Sequence, residues 1–270
     1  MSLARIALRT AAAKALRGAT LVGNNVMISP NGALDVAADG SMRSDEERPF
    51  LAVYTDAGEV DGMPNRSLYE NGSCVLVIEA GISMAMTETD PDTDVSEIVG
   101  VAIPASDENF EFFLDVTLGQ VVDALSSDTE WADIYRSLHC RVSKVVVAGA
   151  RTTEDGQRLA ARQIKISLDL VDEPMKGEPV DPETPFGRFL DAMEASEIAV
   201  ERQQAATLRG LIGGDMPDWL ALQQRHGLTR AELLALGLGP LAGDADRSTP
   251  EFEIGDIELE GMGNTSTVER

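Results

Sequence analysis

Residues 142–171 read VSKVVVAGARTTEDGQRLAARQIKISLDLV, and this stretch decides the fold class. Two apolar runs, 142–150 and 161–171, flank the polar segment 151–158, which holds Asp155-Gly156. Asp-Gly accepts the positive φ angles of a tight turn, so the stretch reads as a β-hairpin. In its second half Ile164, Ile166, Leu168 and Leu170 alternate with Gln163, Lys165, Ser167 and Asp169. That period of two marks an antiparallel strand with one face on a core and one in solvent.

Upstream of the hairpin the period changes. Ser106 precedes Asp107 and Glu108, as an N-cap precedes acids that suit the positive end of a helix. Phe110, Phe113, Leu114, Thr117, Val121 and Leu125 then recur at helical spacing, so one stripe faces a core. Asp128 or Thr129 opens a second helix, EWADIYRSL. Before these helices lies a long apolar strand, SCVLVIEAGISMAM, and before that Pro49 opens FLAVYT, a run of strand formers. TLVGNNVMI at 20–28 reads as two short strand pieces interrupted at Gly23, Asn24 and Asn25. At the start, LARIALRTAAAKALR (3–17) lacks any breaker and ends at Gly18, a C′ stop. Polar connections fill 29–48 and 56–72, and TETDPDTDVS (87–96) is a charged loop followed by the apolar run EIVGVAIPA.

Downstream, EPMKGEPVDPETPFG (173–187) is rich in Pro, Glu and Gly and reads as a linker. A helix is expected over 188–210, a shorter one after Pro217, and a third after Thr229, where Glu232 at N3 completes a capping box. Residues from Gly243 onward are polar and acidic and read as an extended, flexible tail. The expected architecture is α+β: a mixed or antiparallel sheet covered by helices on one face, with a helical C-terminal extension. The boundaries are 1–172 for the α+β domain, 173–187 for the linker, 188–242 for the helical extension and 243–270 for the tail.

Charge and chemistry narrow the function. The chain of 270 residues carries a net charge of −24, which repels phosphate backbones and argues against tight nucleic-acid binding. It suits solubility, and equally a surface past which DNA slides without sticking. The N-terminal helix is a basic island with Arg5, Arg9, Lys14 and Arg17 and no acid. Two uses fit it: a solvated polar face, or contact with an acidic neighbouring subunit. Cys74 and Cys140 belong to no CxxC pair and read as reduced thiols. His139 and His226 stand alone beside helix ends, so neither a zinc site nor a nucleophile–base pair is indicated. Asp90, Asp92 and Asp94 have the alternate spacing of a calcium loop but lack its glycine and its closing glutamate. Gly210, Gly213 and Gly214 follow a helix rather than a strand and cradle no phosphate. LALQQRHGLTRAELLALGL at 220–238 has helix-turn-helix spacing, yet its second helix offers only Arg230 for DNA. No apolar run reaches bilayer length. The expectation is a protein that is not an enzyme and holds no cofactor or metal.

The element order carries a resemblance. A basic helix leads to a strand pair, then to Pro49-Phe50-Leu51-Ala52-Val53-Tyr54-Thr55 preceded by Asp45-Glu46-Glu47-Arg48, then a long strand, a helical region at 107–139 and a closing hairpin. Over about residues 3–172 this pattern resembles the tail-terminator proteins of long-tailed bacteriophages and related gene transfer particles. The loops and everything after 173 go beyond it. The resemblance implies a virion protein, assembled in the host cytoplasm, that forms a six-fold ring with itself. Such a ring caps the tail tube protein, stops its polymerisation and meets a head-tail connector or head-completion protein, with DNA only passing through its lumen and no membrane involved. It implies that the helices 3–17 and 107–139 pack on one face of the sheet. It places candidate contacts on the basic helix (Arg5, Arg9, Lys14, Arg17) and on three loops. Those loops carry Arg43 and Arg48; Asp56, Glu59 and Arg66; and Asp90, Asp92 and Asp94. Competing expectations are another neck or tail component, such as a tube subunit, a cytoplasmic binding module or enzyme, and a DNA-binding regulator acting through 220–238.

Overall fold

A computed structural model gives the fold. It describes residues 3–30, 35–36, 42–43, 46–60, 66–83, 86–89, 91, 95–99, 103–152, 159–177, 179–214, 216–240, 254–258 and 265–269; at 35–36, 42–43, 254–258 and 265–269 only the backbone is described. With 41% helix, 28% strand and a mixed five-stranded sheet, the fold is α+β with C-terminal helices.

The sheet is built around β5 (Ser73–Ser83), which is covered on both sides by neighbours and buried on both faces. β4 (Phe50–Glu59) pairs with it antiparallel on one side, and β9 (Leu159–Leu170) antiparallel on the other. β1 (Val26–Ile28) adds parallel to β4, and β8 (His139–Thr152) adds antiparallel to β9. The order is therefore β1-β4-β5-β9-β8, with a three-residue edge at one end and a fourteen-residue edge at the other. The apex of the β8–β9 hairpin, with Asp155 and Gly156, lies outside the described residues.

Three helices cover one face. α1 (Leu3–Leu16) lies over β1 and β4, and α2 (Asp107–Ser126) lies over β5 and β9. α3 (Glu130–Ser137) packs on α1 and reaches the start of β8. The stripe Phe110, Phe113, Leu114, Thr117, Val121 and Leu125 is buried as its spacing demands. Ser106 caps α2 by accepting from the Asn109 amide at 3.2 Å. α1 is buried almost throughout because alanines let it sit close to the sheet: Ala7, Ala11, Ala12 and Ala13 are fully enclosed.

The Pro-rich segment 173–184 is tied down along its first half. Glu173 accepts from the first amides of α1, Leu3 at 2.9 Å and Ala4 at 3.4 Å, so a carboxylate sits at the positive end of that helix. The Gly177 amide donates to Ile212. Beyond it, α4 (Pro185–Glu194) and α5 (Ala199–Ile212) insert Phe186, Phe189, Leu190, Met193, Ala205, Leu208 and Ile212 into the same hydrophobic cluster that α1, α2 and the sheet share. α6 (Asp218–His226) and α7 (Arg230–Ala235) follow, the latter with the Thr229–Glu232 capping box in place.

Several elements differ from expectation. Residues 17–24 are turns rather than a strand piece, because Gly18 and Gly23 adopt φ +72° and +61° and the Gly18 amide donates to Gly23. β4 runs on to Glu59 through a bulge between Thr55 and Gly58, because the strand beside it offers partners as far as Ser73. The charged segment at 87–96 is framed by a small hairpin, β6 (Thr87–Thr89) with β7 (Ser96–Ile98). The single helix expected over 188–210 is two, broken where the Ser196 hydroxyl accepts from the Ile198 amide at 3.1 Å. Two further pairs complete the strands: β2 (Asp35–Val36) with β3 (Met42–Arg43), and β10 (Ile254–Glu258) with β11 (Thr265–Glu269). The last is an antiparallel hairpin in the segment read as an extended tail. Gly261, Gly263 and Asn264 between its strands are the turn signal that could have announced it.

Candidate functional site

The helix-side face of the sheet runs in rows fixed by register. In one row Val53 pairs with Ile78, Ile78 with Ile164, and Ile164 with Val147. Val53, Ile78 and Ile164 are at most 4% exposed, whereas Val147 is 55% exposed. The next row repeats the step: Leu76 and Ile166 are buried, and Val145, opposite Ile166, is 52% exposed. Val142, opposite Leu168, continues the strip. The helix layer stops at β9, so the same apolar periodicity that makes core in β5 and β9 makes bare surface in β8. The strip combines apolar side chains with the unpaired backbone of an edge strand, the combination that recruits another chain.

Charge frames the strip. β8 carries Arg141, Lys144 and Arg151 and no acid. Arg141 pairs with Asp169 on the adjoining strand, its Nε donating at 2.8 Å. Arg151 donates to Glu111 of α2 at 2.6 Å, and Arg162 of β9 donates to the other oxygen of Glu111 at 2.6 Å and to Asp115 at 3.2 Å. The Arg151 hydrogen bond, with the charges of both arginines, outweighs partial burial and holds the Glu111 carboxyl below the usual range. This clasp fixes the end of the long edge strand against α2.

The basic helix turns inward. Arg5 donates to the Thr55 carbonyl at 2.7 Å and Arg9 to the Thr55 hydroxyl at 3.0 Å, so both grip the bulge of β4. Burial pushes Arg9 down, with Arg5 beside it acting in the same direction, and burial pushes the neighbouring Cys74 thiol up. Lys14 is ion-paired with Glu201 of α5, and Arg17 stands 3.8 Å from the same carboxylate. These four cations thus find partners within the chain, a third use beside the two expected.

The other candidates do not converge. Arg48 is exposed beside β4, and its carbonyl accepts from Asn25 at 3.4 Å. Asp56 and Glu59 are exposed along the outer half of β4. Arg66 pairs with Glu232 of α7. Arg43 lies in β3 opposite Asp35, and its side chain lies outside the described residues, as do Asp90, Asp92 and Asp94 altogether.

A second feature is a cleft of about 210 Å³ where the sheet end meets α6, lined by Tyr69, Glu70, Asp172, Glu173, Arg225 and His226 among others. Its groups are already employed: Glu173 caps α1 and the Tyr69 hydroxyl donates to Gln224 at 2.9 Å. It is a joint between the helical extension and the sheet. Among the described residues no group of three or more His, Cys, Asp or Glu could hold a metal ion, and no helix is long and apolar enough to cross a membrane. No protein-family model matches the chain, and no curated protein matches it.

Proposed function

We propose that the chain is a structural assembly subunit of a phage-type tail, a ring-forming terminator that caps the tail tube and meets the head-side connector. One observation supports this most: a fourteen-residue edge strand whose helix-side valines are bare at the end of an otherwise buried row. Cations and two register shifts blunt its first part, at 139–144, but residues 145–150 carry no charge and stay exposed. A ring presents it to the next copy in a head-to-tail contact that closes. The other edge of the sheet, β1, is only three residues long and sits under α1, so the two edges are unequal, as such a contact requires. The net charge of −24 fits a lumen through which DNA passes without adhesion. In this reading the protein works in the virion by geometry, with itself, the tube protein and the connector as partners, and with no reaction, cofactor or membrane.

The test is native mass measurement with negative-stain imaging, followed by addition of the protein to growing tail tubes. A closed ring, or arrest of tube growth, supports the terminator. Open-ended self-stacking identifies a tube subunit instead. A protein that neither closes a ring nor alters tube growth overturns the proposal.

A further inference from the structure

The β8 edge has a specific complement within the sequence itself. Residues 251–260 read EFEIGDIELE, with five acids and no base, and their centre is strand β10. β8 is the reverse, with three bases and no acid. The two segments also match in pattern. Register places Val142, Val145, Val147 and Arg151 of β8 on the helix face, and Arg141, Lys144, Val146 and Ala148 on the other. Each face is thus apolar along one half and cationic at one end, with the polarity reversed between faces. Residues 251–260 have the same build with acids in place of bases: Glu251, Glu253, Ile257 and Leu259 alternate with Phe252, Ile254, Asp256 and Glu258. An antiparallel register that sets Lys144 opposite Glu260 also sets Val145 opposite Leu259, Val147 opposite Ile257 and Arg151 opposite Glu253. On the helix face apolar pairs and opposite charges then fall together; on the other face Lys144 meets Glu260, while Val146 and Ala148 meet Glu258 and Asp256.

Self-pairing of β8 brings three cations and no acid to each side of the junction. A two-fold centred on Val146 puts Arg141 opposite Arg151, and like charges directly opposite destabilise a ladder. An acidic segment complements the edge better than a second β8 does. Within one chain the β10–β11 hairpin forms its own two-stranded sheet and does not join the five-stranded one. A lone two-stranded hairpin is marginal in water and gains from a third strand.

We infer that the acidic C-terminal hairpin of a neighbouring copy adds to the β8 edge, each subunit giving one tail and receiving one. The exchange is heterologous, so it closes a ring where the rotation between copies permits and runs on as an open stack where it does not. It rests on the reading of β8 as a subunit contact and names what fills that contact.

The register sets Glu258 opposite Val146, which is exposed on β8. In the full chain, Val146→Cys and Glu258→Cys are combined with Cys140→Ser, which removes the one exposed native thiol, since Cys74 is buried. The protein is treated with a short flexible bismaleimide and run on a denaturing gel. The expected product is a ladder of covalently linked copies that disappears when either introduced cysteine is left out. A product that links a chain only to itself, or no product that needs both cysteines, overturns the inference. Lys144→Glu should weaken the ladder on the order of fivefold, and Glu260→Lys in the same chain should restore it. Absence of that restoration also counts against the pairing. Val145→Lys separates the two levels. If it abolishes assembly although the chain with native Val145 gives no ladder, β8 is a contact but the tail is not its occupant. If assembly survives it, the β8 contact and the tail exchange both fall.

Discussion

Lys14 of α1 is ion-paired with Glu201 of α5, 187 residues away in sequence, and both side chains are 12% exposed. The pair joins the first helix of the chain to the helical extension. Lys14 also stands 5.6 Å from the centre of the Trp131 ring, and Ser196 donates its hydroxyl to the same carboxylate. Lys14→Met keeps the aliphatic packing but leaves Glu201 with Ser196 and the more distant Arg17. It should cost about 2 kcal/mol, because a charged hydrogen bond is lost and a largely enclosed carboxylate is left short of a partner. Urea unfolding should show a lower midpoint at unchanged slope. Burial alone would raise the Glu201 carboxyl, but the Lys14 and Ser196 hydrogen bonds, with the Lys14 and Arg17 charges, outweigh it and hold it below the ordinary 4.5. Its contribution is therefore present above that value and is lost as pH falls through the folded-state pKa. Glu201→Gln should flatten this acid limb of the stability curve.

Gly227 ends α6 in the left-handed region, at φ +60°, against the backbone of Arg66 and Ser67. A Cβ there would stand 2.3 Å from the Arg66 carbonyl carbon. Backbone cannot step aside as a flexible side chain would. Gly227→Ala should therefore loosen the seat of α6 and α7 on the sheet, at a cost of about 1–3 kcal/mol. Hydrogen exchange should speed up across 218–236 while β5 and β9 keep their protection. Equal exchange in both proteins would show that the helical pair is not held there.

How much of this was legible in sequence depends on whether a signal is local. The stripe from Phe110 to Leu125 and the alternation from Ile164 to Leu170 report one face of one element, and the structure shows both. The inward grip of Arg5 and Arg9 on Thr55 depends on where a β4 bulge lands, and no spacing announces that. The break at Ser196 is hidden because apolar residues keep helical spacing on both sides of it. The β8 edge is the sharpest case. Val145 and Val147 belong to an apolar run of the hairpin, and their exposure follows only from strand order, which among the described residues places nothing beyond β8. The two ends of the match, 141–151 and 251–260, were both visible as sequence but lacked the topology that makes one an unfilled edge and the other a spare hairpin.

His139 opens β8 with its ring half-buried, edge-on to Tyr135 at 5.0 Å, and neither ring nitrogen finds a hydrogen-bond partner. Burial lowers its pKa from 6.5, and the charge of Arg136 acts in the same direction. On acidification the unfolded chain takes up this proton first, so stability falls as pH drops below the unfolded value of about 6.5. His139→Phe removes the proton site and keeps the ring contact. Chemical denaturation at neutral and mildly acidic pH should show a smaller loss for the variant than for the wild type. Equal losses would mean that His139 is already solvated in the folded protein.

Thr117 lies in the buried stripe of α2 with 0% exposure, and its hydroxyl has no hydrogen-bond partner. A threonine inside a helix commonly turns its hydroxyl to the carbonyl one turn back, and here it does not. The hydroxyl has given up water and received nothing, a penalty of about 1–3 kcal/mol carried by the folded state. Thr117→Val replaces that oxygen with a methyl group of similar size, so it removes the penalty without a cavity or a clash. The variant should be more stable by about 1 kcal/mol, a rise of roughly 2–4 °C in the melting temperature. Thr117→Ser sharpens the test, since it keeps the hydroxyl and deletes the methyl. If unsatisfied polarity is what matters, valine stabilises and serine destabilises. If both destabilise, the hydroxyl has a partner, and the helix-side core is better satisfied at Thr117 than its geometry indicates.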